Sequence, residues 1–329
     1  MTQAISVVVP VYNSEATLDV LAARLQAVLE ATFDDFELIL VNDGSADRSW
    51  SVVQGLVARY PWIRAFNLMR NYGQHNALLC GIRAARHPLI LTMDDDLQHP
   101  PEVIPDLLAA LDDSVDVLYG VPEQEQHGFM RDLASRVTKL ALQSAMGAET
   151  ARHVSALRLF RTQLRDAFGS YRSPFVSIDV MLTWATRRFA HIRVPHAPRL
   201  AGVSNYTVRK LIAHAANMAT GFSVLPLQLA SLVGFSFTVL GLLSLAFVVL
   251  RFVISGTTVP GFPFLAAIIS IFSGAQLFAL GVIGEYLARM HFRLMDRPAY
   301  VVRDTRAAEA AVRSIQLPES IRPASGRHG

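Results

Sequence analysis

The chain of 329 residues has one cysteine, Cys80, and only two lysines among its 30 basic residues. A single cysteine excludes an internal disulfide, and a lone thiol with apolar neighbours is typical of a core residue in a reducing compartment. The formal net charge of +3 is too small to indicate nucleic acid as a partner. A strand pattern begins within a few residues of Met1 and does not resemble a signal peptide, so we expect a cytoplasmic N-terminal part.

Charged residues are scarce, at 17% of the chain, and the deficit is local. Residues 211–250 contain no Asp, Glu, Lys or Arg, residues 252–284 contain none either, and only Arg251 interrupts the two runs. Each run exceeds the roughly 20 apolar residues that a membrane-spanning helix needs. We therefore predict spans near residues 227–250 and 264–286. A large buried core hairpin is the weaker alternative.

Basic residues precede the first predicted span and follow the second, and in a two-span hairpin these two ends lie on the same side of the membrane. Those before the first span and after the second are Arg199, Arg209, Lys210, Arg289, Arg293, Arg297 and Arg303. The positive-inside rule then predicts cytoplasmic ends for both spans and an external loop over residues 255–263. After residue 304 the chain turns polar, which predicts a disordered tail.

The first 120 residues alternate between strand and helix patterns. Apolar runs typical of strands cover residues 5–11, 36–41, 63–68 and 115–120, and another begins at Leu89; helical spacing covers 18–29, 49–60, 76–85 and 103–111. This alternation predicts an α/β fold with a mostly parallel, Rossmann-like sheet and helices on both faces. Ligands of such sheets bind at the carboxyl ends of the strands.

Three consecutive aspartates, Asp94 to Asp96, follow the strand pattern that begins at Leu89. Two unit charges about 4 to 7 Å apart repel by about 2 to 4 kcal/mol at an effective dielectric constant of about 20, so the cluster favours a counter-ion. If the strand pleat persists, Asp94 and Asp96 project to one side and Asp95 to the other. A divalent cation, Mg²⁺ or Mn²⁺, shared with a diphosphate suits them. A solvated acidic turn before a helix fits the triplet equally well.

Polar clusters lie at the other predicted strand ends and carry a family resemblance. The sequences VVVPVYN (7–13), VNDGS (41–45), NYGQHNALLCGI (71–82) and DDDLQHPPE (94–102) resemble family 2 glycosyltransferases of the GT-A fold. They are more closely similar to the polyprenyl-phosphate sugar transferases, the group that includes dolichol-phosphate mannose synthase and undecaprenyl-phosphate aminoarabinose transferase. The resemblance continues through RLAGVSNY (199–206) and GEYLAR (284–289), up to about residue 303.

The resemblance implies roles for individual residues. It implies a nucleotide-donor site formed by Pro10, Tyr12, Glu15, Asp43, Arg70 and Asp94. It implies a metal site at Asp94, Asp96 and Gln98, and catalytic roles for Asp94, Asp96 and Arg158. Two of these positions also have simpler interpretations, because Asp43 suits an Asx turn that only shapes its loop and Arg70 suits a solvated rim.

Ala156 stands where many members of the family carry an aspartate shortly before the arginine, here Arg158. This departure argues against a carboxylate base from this segment. A phosphate monoester has a second pKa near 6, so a phosphate acceptor is already mostly deprotonated at neutral pH. Arg158 remains a candidate phosphate contact, with an ordinary edge-strand arginine as the alternative, and Asp179 most simply favours a helix amino end.

A second polar constellation immediately precedes the uncharged stretch. By resemblance, Arg199, Ser204, Tyr206 and Lys210 bind the acceptor phosphate. Residues 206–222 have an apolar stripe at helical spacing with basic residues opposite, which predicts an amphipathic helix in the membrane interface. Attraction to anionic lipid headgroups is the alternative for Lys210.

These observations predict four regions. They are a cytoplasmic GT-A catalytic domain over residues 1–205, an interfacial helix over 206–224, two transmembrane helices over 225–290, and a partly disordered cytoplasmic tail over 291–329.

The expected activity is inverting, metal-dependent transfer of a sugar from a nucleotide diphosphate to a polyprenyl phosphate at a bacterial inner membrane. The alternatives are a glycolipid or polysaccharide transferase with a hydroxyl acceptor, and a non-catalytic membrane partner that retains the fold. The resemblance also allows a homo-oligomer.

Overall fold

A mixed eight-stranded β-sheet forms the framework of the chain, whose computed structural model describes residues 4–123, 153–197, 225–256 and 261–307. The strands are β1 (Ala4–Val11), β2 (Asp35–Asn42), β3 (Ile63–Leu68), β4 (Leu89–Thr92), β5 (Val117–Pro122), β6 (Leu157–Arg161), β7 (Phe189–Val194) and β8 (Val302–Arg306). Their order is β7-β5-β6-β4-β1-β2-β3-β8. Only β6 and β8 run against the other strands, so the predicted mostly parallel sheet is confirmed.

Helices cover both faces of this sheet, as the alternating pattern predicts. They are α1 (Leu18–Thr32), α2 (Ser49–Arg59), α3 (Gln74–Ala84), α4 (Ile104–Ala110) and α5 (Ile178–Ala185). The apolar residues of α1, α2 and α4 pack into a core on one face, and those of α3 and α5 pack into a second core on the other. Because the central strands are buried on both faces, they read as continuous apolar runs.

The chain reverses its course through the sheet between β1 and β4. From β1 it proceeds outward to β2 and β3, and then returns to place β4 on the opposite side of β1. Strands β1 and β4 are therefore neighbours, and the loops that follow them leave the sheet side by side. Such a switch point opens a crevice outside the carboxyl ends of the strands, which is the usual ligand position in an open α/β sheet.

Two long apolar helices follow, α6 (Leu225–Ser255) and α7 (Phe262–Leu294). Both are long and apolar enough to cross a membrane, and their large side chains are mostly exposed. They pack together where the ring of Phe272 lies edge-on to Phe237 and directly against Gly241. The predicted spans, 227–250 and 264–286, lie within them. The predicted interfacial helix over 206–224 lies outside the described residues.

The chain returns from α7 to the sheet and adds β8 beside β3. Val302–Arg306 pairs antiparallel with β3, and the Met69 amide donates to the Val301 carbonyl at 2.9 Å. The prediction of a disordered tail after residue 304 is therefore wrong for Thr305 and Arg306, which are strand residues. The sheet also extends beyond the domain boundary predicted at residue 205.

Candidate active site

Loops after β1 and β2 are joined by hydrogen bonds at the carboxyl edge of the sheet. The Asp43 amide donates to the Val11 carbonyl at 2.9 Å, and the Asn13 amide donates to Ser45 Oγ at 3.1 Å. Asn13 Oδ1 accepts from the Ala46 amide at 2.8 Å. Asn13 has a φ of 55°, a conformation that asparagine tolerates better than most residues. These contacts fix the entrance of the crevice.

Asp43 ties the loop after β3 to the end of β2. Its Oδ1 accepts from the Tyr72 amide at 2.7 Å, and its Oδ2 accepts from the Gly73 amide at 2.8 Å. Burial raises the pKa of the Asp43 carboxyl, against the opposing effect of these two amides. The neighbouring Gly44 has a φ of +65°, and a Cβ there would lie 2.5 Å from the Arg70 carbonyl carbon. Asp43 therefore shapes the loop, and its contact with a nucleoside stays a prediction.

Asp95 belongs to the β1 side of the crevice. Strand β4 ends at Thr92, so the strand pleat does not extend to the three aspartates. Asp95 Oδ2 accepts from the Tyr12 amide at 3.2 Å and from the Ser14 hydroxyl. Burial raises the pKa of the Asp95 carboxyl to about 6, although these hydrogen bonds oppose it. Asp95 thus holds the β1 loop against the end of β4.

Asp94 and Asp96 have different partners from Asp95. Gln74 Nε2 donates to Asp94 Oδ1 at 2.6 Å, from the first turn of α3. Asp96 Oδ1 accepts from the Gln98 amide at 3.1 Å. The intervening Leu97 is buried with a φ of 59°, which folds the chain back into a tight turn. The three neighbouring carboxylates are therefore held by three different parts of the chain.

The donor set of this turn fits a hard divalent cation. Among the described residues, no three His, Cys, Asp or Glu side chains form a metal-binding group by themselves. Mg²⁺ commonly takes only one or two carboxylates and completes its coordination with substrate phosphates and water. Asp94 and Asp96 match that pattern, since Asp95 is engaged by the β1 loop.

The other predicted donor-site residues differ in their accessibility. Tyr12 is 47% exposed, whereas Pro10 is buried within β1 and offers no free surface. Glu15 accepts from the Arg48 amide at 2.9 Å and so holds the loop after β2. The Arg70 guanidinium is exposed and lies 4.2 Å from the ring centroid of Tyr72.

Arg158 is buried and paired with a carboxylate, and its predicted phosphate contact stays a prediction. It lies in an interior strand and is buried, and its guanidinium makes a bidentate pair with Asp179 on α5 at 2.6 and 2.9 Å. A further nitrogen donates to Thr92 Oγ1 at 3.2 Å and to the Ala156 carbonyl at 3.1 Å. The Tyr119 hydroxyl also donates to Asp179 at 3.0 Å. Asp179 is thus the partner of Arg158 and more than a helix-end charge.

The predicted acceptor residues Arg199, Ser204, Tyr206 and Lys210 lie outside the described residues. The described segment that precedes them lies against the aspartate turn, because the Ala197 amide donates to the Gln98 carbonyl at 2.9 Å. The rings of His99 and His196 also lie edge-on at 5.3 Å. Burial lowers the pKa of His99 to about 4, so this imidazole is neutral at physiological pH.

Three residues of this edge are not singled out by the sequence: Ser14, Gln74 and Asn76. The first two hold Asp95 and Asp94, and Asn76 bonds to two distant carbonyls. Gln74 and Asn76 fall inside the NYGQHN run that follows β3, which marks a polar loop at a strand end. Their individual partners depend on tertiary positions that the run does not encode.

Comparison with known proteins gives consistent similarities. Residues 6–168 match the family model described as "Glycosyl transferase family 2". The undecaprenyl-phosphate 4-deoxy-4-formamido-L-arabinose transferase of Pseudomonas paraeruginosa is 36% identical over 94% of this chain and 93% of its own. The protein of the same name from an Enterobacter species is 36% identical over 91% and 92%.

A solved structure is similar to this chain at a lower sequence identity than these relatives. It is the glucosyl-3-phosphoglycerate synthase of Mycobacterium tuberculosis, in complex with Mn²⁺ and uridine-diphosphate-glucose. It is 17% identical, with a TM-score of 0.49 over 66% of this chain and 77% of that chain.

Proposed function

Because the chain belongs to glycosyl transferase family 2, we propose that it transfers a sugar from a nucleotide diphosphate to the phosphate of a polyprenyl lipid. The relatives' names specify undecaprenyl phosphate and 4-deoxy-4-formamido-L-arabinose. We take these as the first acceptor and the first sugar to test. The proposal includes inversion at the sugar carbon, dependence on a divalent cation, and a position at the inner membrane of a bacterium.

The contact between Ala197 and Gln98 carries the acceptor part of this proposal. The described segment that precedes the predicted acceptor residue Arg199 ends at Ala197, whose amide donates to Gln98 beside the aspartate turn. An arginine guanidinium can pair with a phosphate bidentately. One crevice would thus hold the donor diphosphate and the acceptor phosphate.

The donor part of the proposal rests on the loops after β1, β2 and β3. The exposed ring of Tyr12 offers a surface for the base, and Asp43 fixes the loop that carries Arg70. Each Asp43 oxygen already accepts one amide and has a second lone pair for a hydroxyl or imide donor. Asp94 and Asp96 would hold Mg²⁺ or Mn²⁺ against the diphosphate, which neutralises charge on the leaving group.

The transfer itself needs no protein base. An oxygen of the lipid phosphate attacks the anomeric carbon while the bond from that carbon to the donor phosphate oxygen breaks. A phosphate monoester is mostly deprotonated at neutral pH, so no proton has to be removed. Positioning the two substrates in line is then the main contribution of the chain. This agrees with Ala156 at the position where many family members carry an aspartate.

Helices α6 and α7 would confine the catalytic domain to the membrane that contains the acceptor. Their charge-poor sequences and exposed apolar side chains support insertion. The basic residues that precede the first span and follow the second support a cytoplasmic position for the site.

The test is a transfer assay with purified full-length protein in detergent. Undecaprenyl phosphate and undecaprenol are each incubated with UDP-, GDP- and dTDP-linked sugars, including 4-deoxy-4-formamido-L-arabinose, with and without chelator. We expect a sugar adduct of the phosphate alone, absent with chelator and identified by its mass. Transfer to undecaprenol would instead support a hydroxyl acceptor.

Arg199→Ala tests the acceptor assignment separately. Loss of one charged hydrogen-bonding group should raise the acceptor KM by about tenfold or more and leave the donor KM within about twofold. Arg209→Ala is the control for simple attraction to anionic lipid. An unchanged acceptor KM in the Arg199 variant would contradict the assignment.

A further inference from the structure

Four successive residues at the start of α3 contact four separate parts of the molecule. The Gly73 amide donates to Asp43, and the Gln74 side chain donates to Asp94. His75 Nδ1 accepts from the Ile178 amide at the start of α5, at 3.3 Å. Asn76 bonds to the segment that follows α7. The nucleoside side, the metal side and the C-terminal part of the chain therefore meet at one helical turn.

Asn76 is the buried member of this turn. Its side-chain nitrogen donates to the Ala299 carbonyl at 2.6 Å and to the Pro174 carbonyl at 3.1 Å. Its own amide donates to the Gly73 carbonyl at 3.0 Å. The residue is only 5% exposed. Both carboxamide hydrogens are used, so the side chain joins α3 to two segments that are far away in sequence.

Residues 299–303, here the post-helix segment, also contact the residue before the loop of Arg70 to Gly73. The Met69 amide donates to Val301, and Arg303 Nη2 donates to the Met69 carbonyl at 3.0 Å. Tyr300 is partly buried against the second core, and the Arg83 guanidinium lies 5.6 Å from its ring centroid. The loop is therefore held at its beginning by Val301 and Arg303 and at its end by Asn76.

We propose that Asn76 is a positioning residue through which the post-helix segment holds the loop of Arg70 to Gly73 in its donor-binding conformation. This rests on the proposed function, because it assigns nucleotide binding to that loop. Asp43 binds the amides of Tyr72 and Gly73, so displacement of the loop disrupts the nucleoside side of the crevice. The return of the chain from the membrane hairpin thereby stabilises the donor site.

The physical basis is a population effect. If the post-helix segment is released, the loop spends less time in the conformation that binds Asp43. The apparent affinity for donor falls by the fraction of molecules that remain competent. The acceptor phosphate is assigned to a different segment, so its affinity changes little. A general loss of stability would affect both substrates.

Two substitutions test this proposal. Asn76→Asp replaces the donor NH₂ with an oxygen that faces two carbonyls, and we expect the donor Kd to rise at least about tenfold. Arg303→Ala removes only an exposed contact, so this variant should fold, and we expect a rise of about two- to fivefold. Arg306→Ala is the matched control, since it lies three residues further on and pairs with Asp304.

Binding is measured by titrating UDP into full-length protein in detergent, and amide hydrogen exchange is measured on peptides that cover residues 69–76. We expect faster exchange at Tyr72 and Gly73 in both test variants and wild-type exchange in Arg306→Ala. An acceptor KM within about twofold of wild type is also expected.

Unchanged loop exchange in both test variants would overturn the proposal, as would equal losses of donor and acceptor affinity. The exchange measurement requires no substrate. If wild-type protein transfers no sugar but the exchange changes as expected, the proposed function fails while the link between the post-helix segment and the loop stands.

Discussion

Neighbouring side chains at the carboxyl edge of the sheet have different hydrogen-bond partners, although they form one cluster in the sequence. Asp94, Asp95 and Asp96 read as one acidic cluster, yet the β1 loop holds Asp95 and Gln74 of α3 holds Asp94. The sequence predicts the cluster and its place after a strand because aspartates follow an apolar run. It does not predict which carboxylate each loop binds, since that depends on the approach of Ser14 and Gln74 in three dimensions.

Asp43 gives a prediction at this scale. In Asp43→Asn, the side-chain NH₂ faces one of the two amides that the carboxylate now accepts, so the loop loses a hydrogen bond. We expect the donor KM to rise about tenfold or more, with the acceptor KM within about twofold. Steady-state kinetics with each substrate varied in turn measures this.

Asp106→Asn is the control for Asp43→Asn, because Asp106 is exposed on α4. A donor KM that stays at the wild-type value in Asp43→Asn would show that Asp43 has no part in donor binding.

At the scale of elements, the pair of Arg158 and Asp179 joins β6 to α5 beneath the aspartate turn. Burial opposes ionisation of Asp179, but the Arg158 guanidinium outweighs this effect and lowers the pKa of the carboxyl. The sequence predicts a strand position for Arg158 and a helix-start position for Asp179. It cannot predict their pairing, because that depends on β6 lying between β4 and β5.

Asp179→Asn should destabilise the protein. A buried arginine that loses its carboxylate partner typically costs about 3 to 5 kcal/mol of unfolding free energy. Because the pKa of Asp179 is lowered on folding, its contribution is present above its ordinary pKa of about 3.9 and is lost as pH falls through the lower folded value. The difference from wild type should therefore be constant between about pH 5 and 8.

Thermal unfolding in detergent across that pH range measures the effect, with Asp113→Asn as the control. Asp113 is fully exposed and pairs only weakly with Arg161, at 3.4 Å. Equal midpoints for wild type and Asp179→Asn would contradict a stabilising pair.

Strand β8 shows why some elements escape prediction. Its sequence, VRDTR, is short and charged, which is typical of a polar tail. It becomes a strand because β3 presents a free edge where the chain returns from α7. Long apolar helices such as α6 and α7 are predictable from composition alone, whereas a charged edge strand depends on its neighbour.

For the molecule as a whole, the sheet and the apolar hairpin together define where the reaction is proposed to occur. The predicted orientation is testable by cysteine labelling in intact cells. Cys80 is fully buried, and burial raises the pKa of its thiol to about 12, so it gives little background. Thr257→Cys should react with a membrane-impermeant maleimide from outside, and Arg306→Cys only after permeabilisation.

The reverse labelling pattern would place the carboxyl edge of the sheet on the outer face. Equal labelling of both positions in intact cells would contradict a two-span hairpin. The sequence predicts this orientation from the positions of its basic residues relative to the two apolar runs, without knowledge of the fold.

The central claim is that Asp96 is required for the transfer of a sugar to a lipid phosphate. The most direct measurement is the amount of glycosylated undecaprenyl phosphate formed by Asp96→Asn and by wild type, at equal concentrations of folded protein. We predict a loss of at least about 100-fold with an unchanged unfolding midpoint, because the asparagine oxygen can still accept the Gln98 amide. Wild-type product yield from Asp96→Asn would contradict the claim.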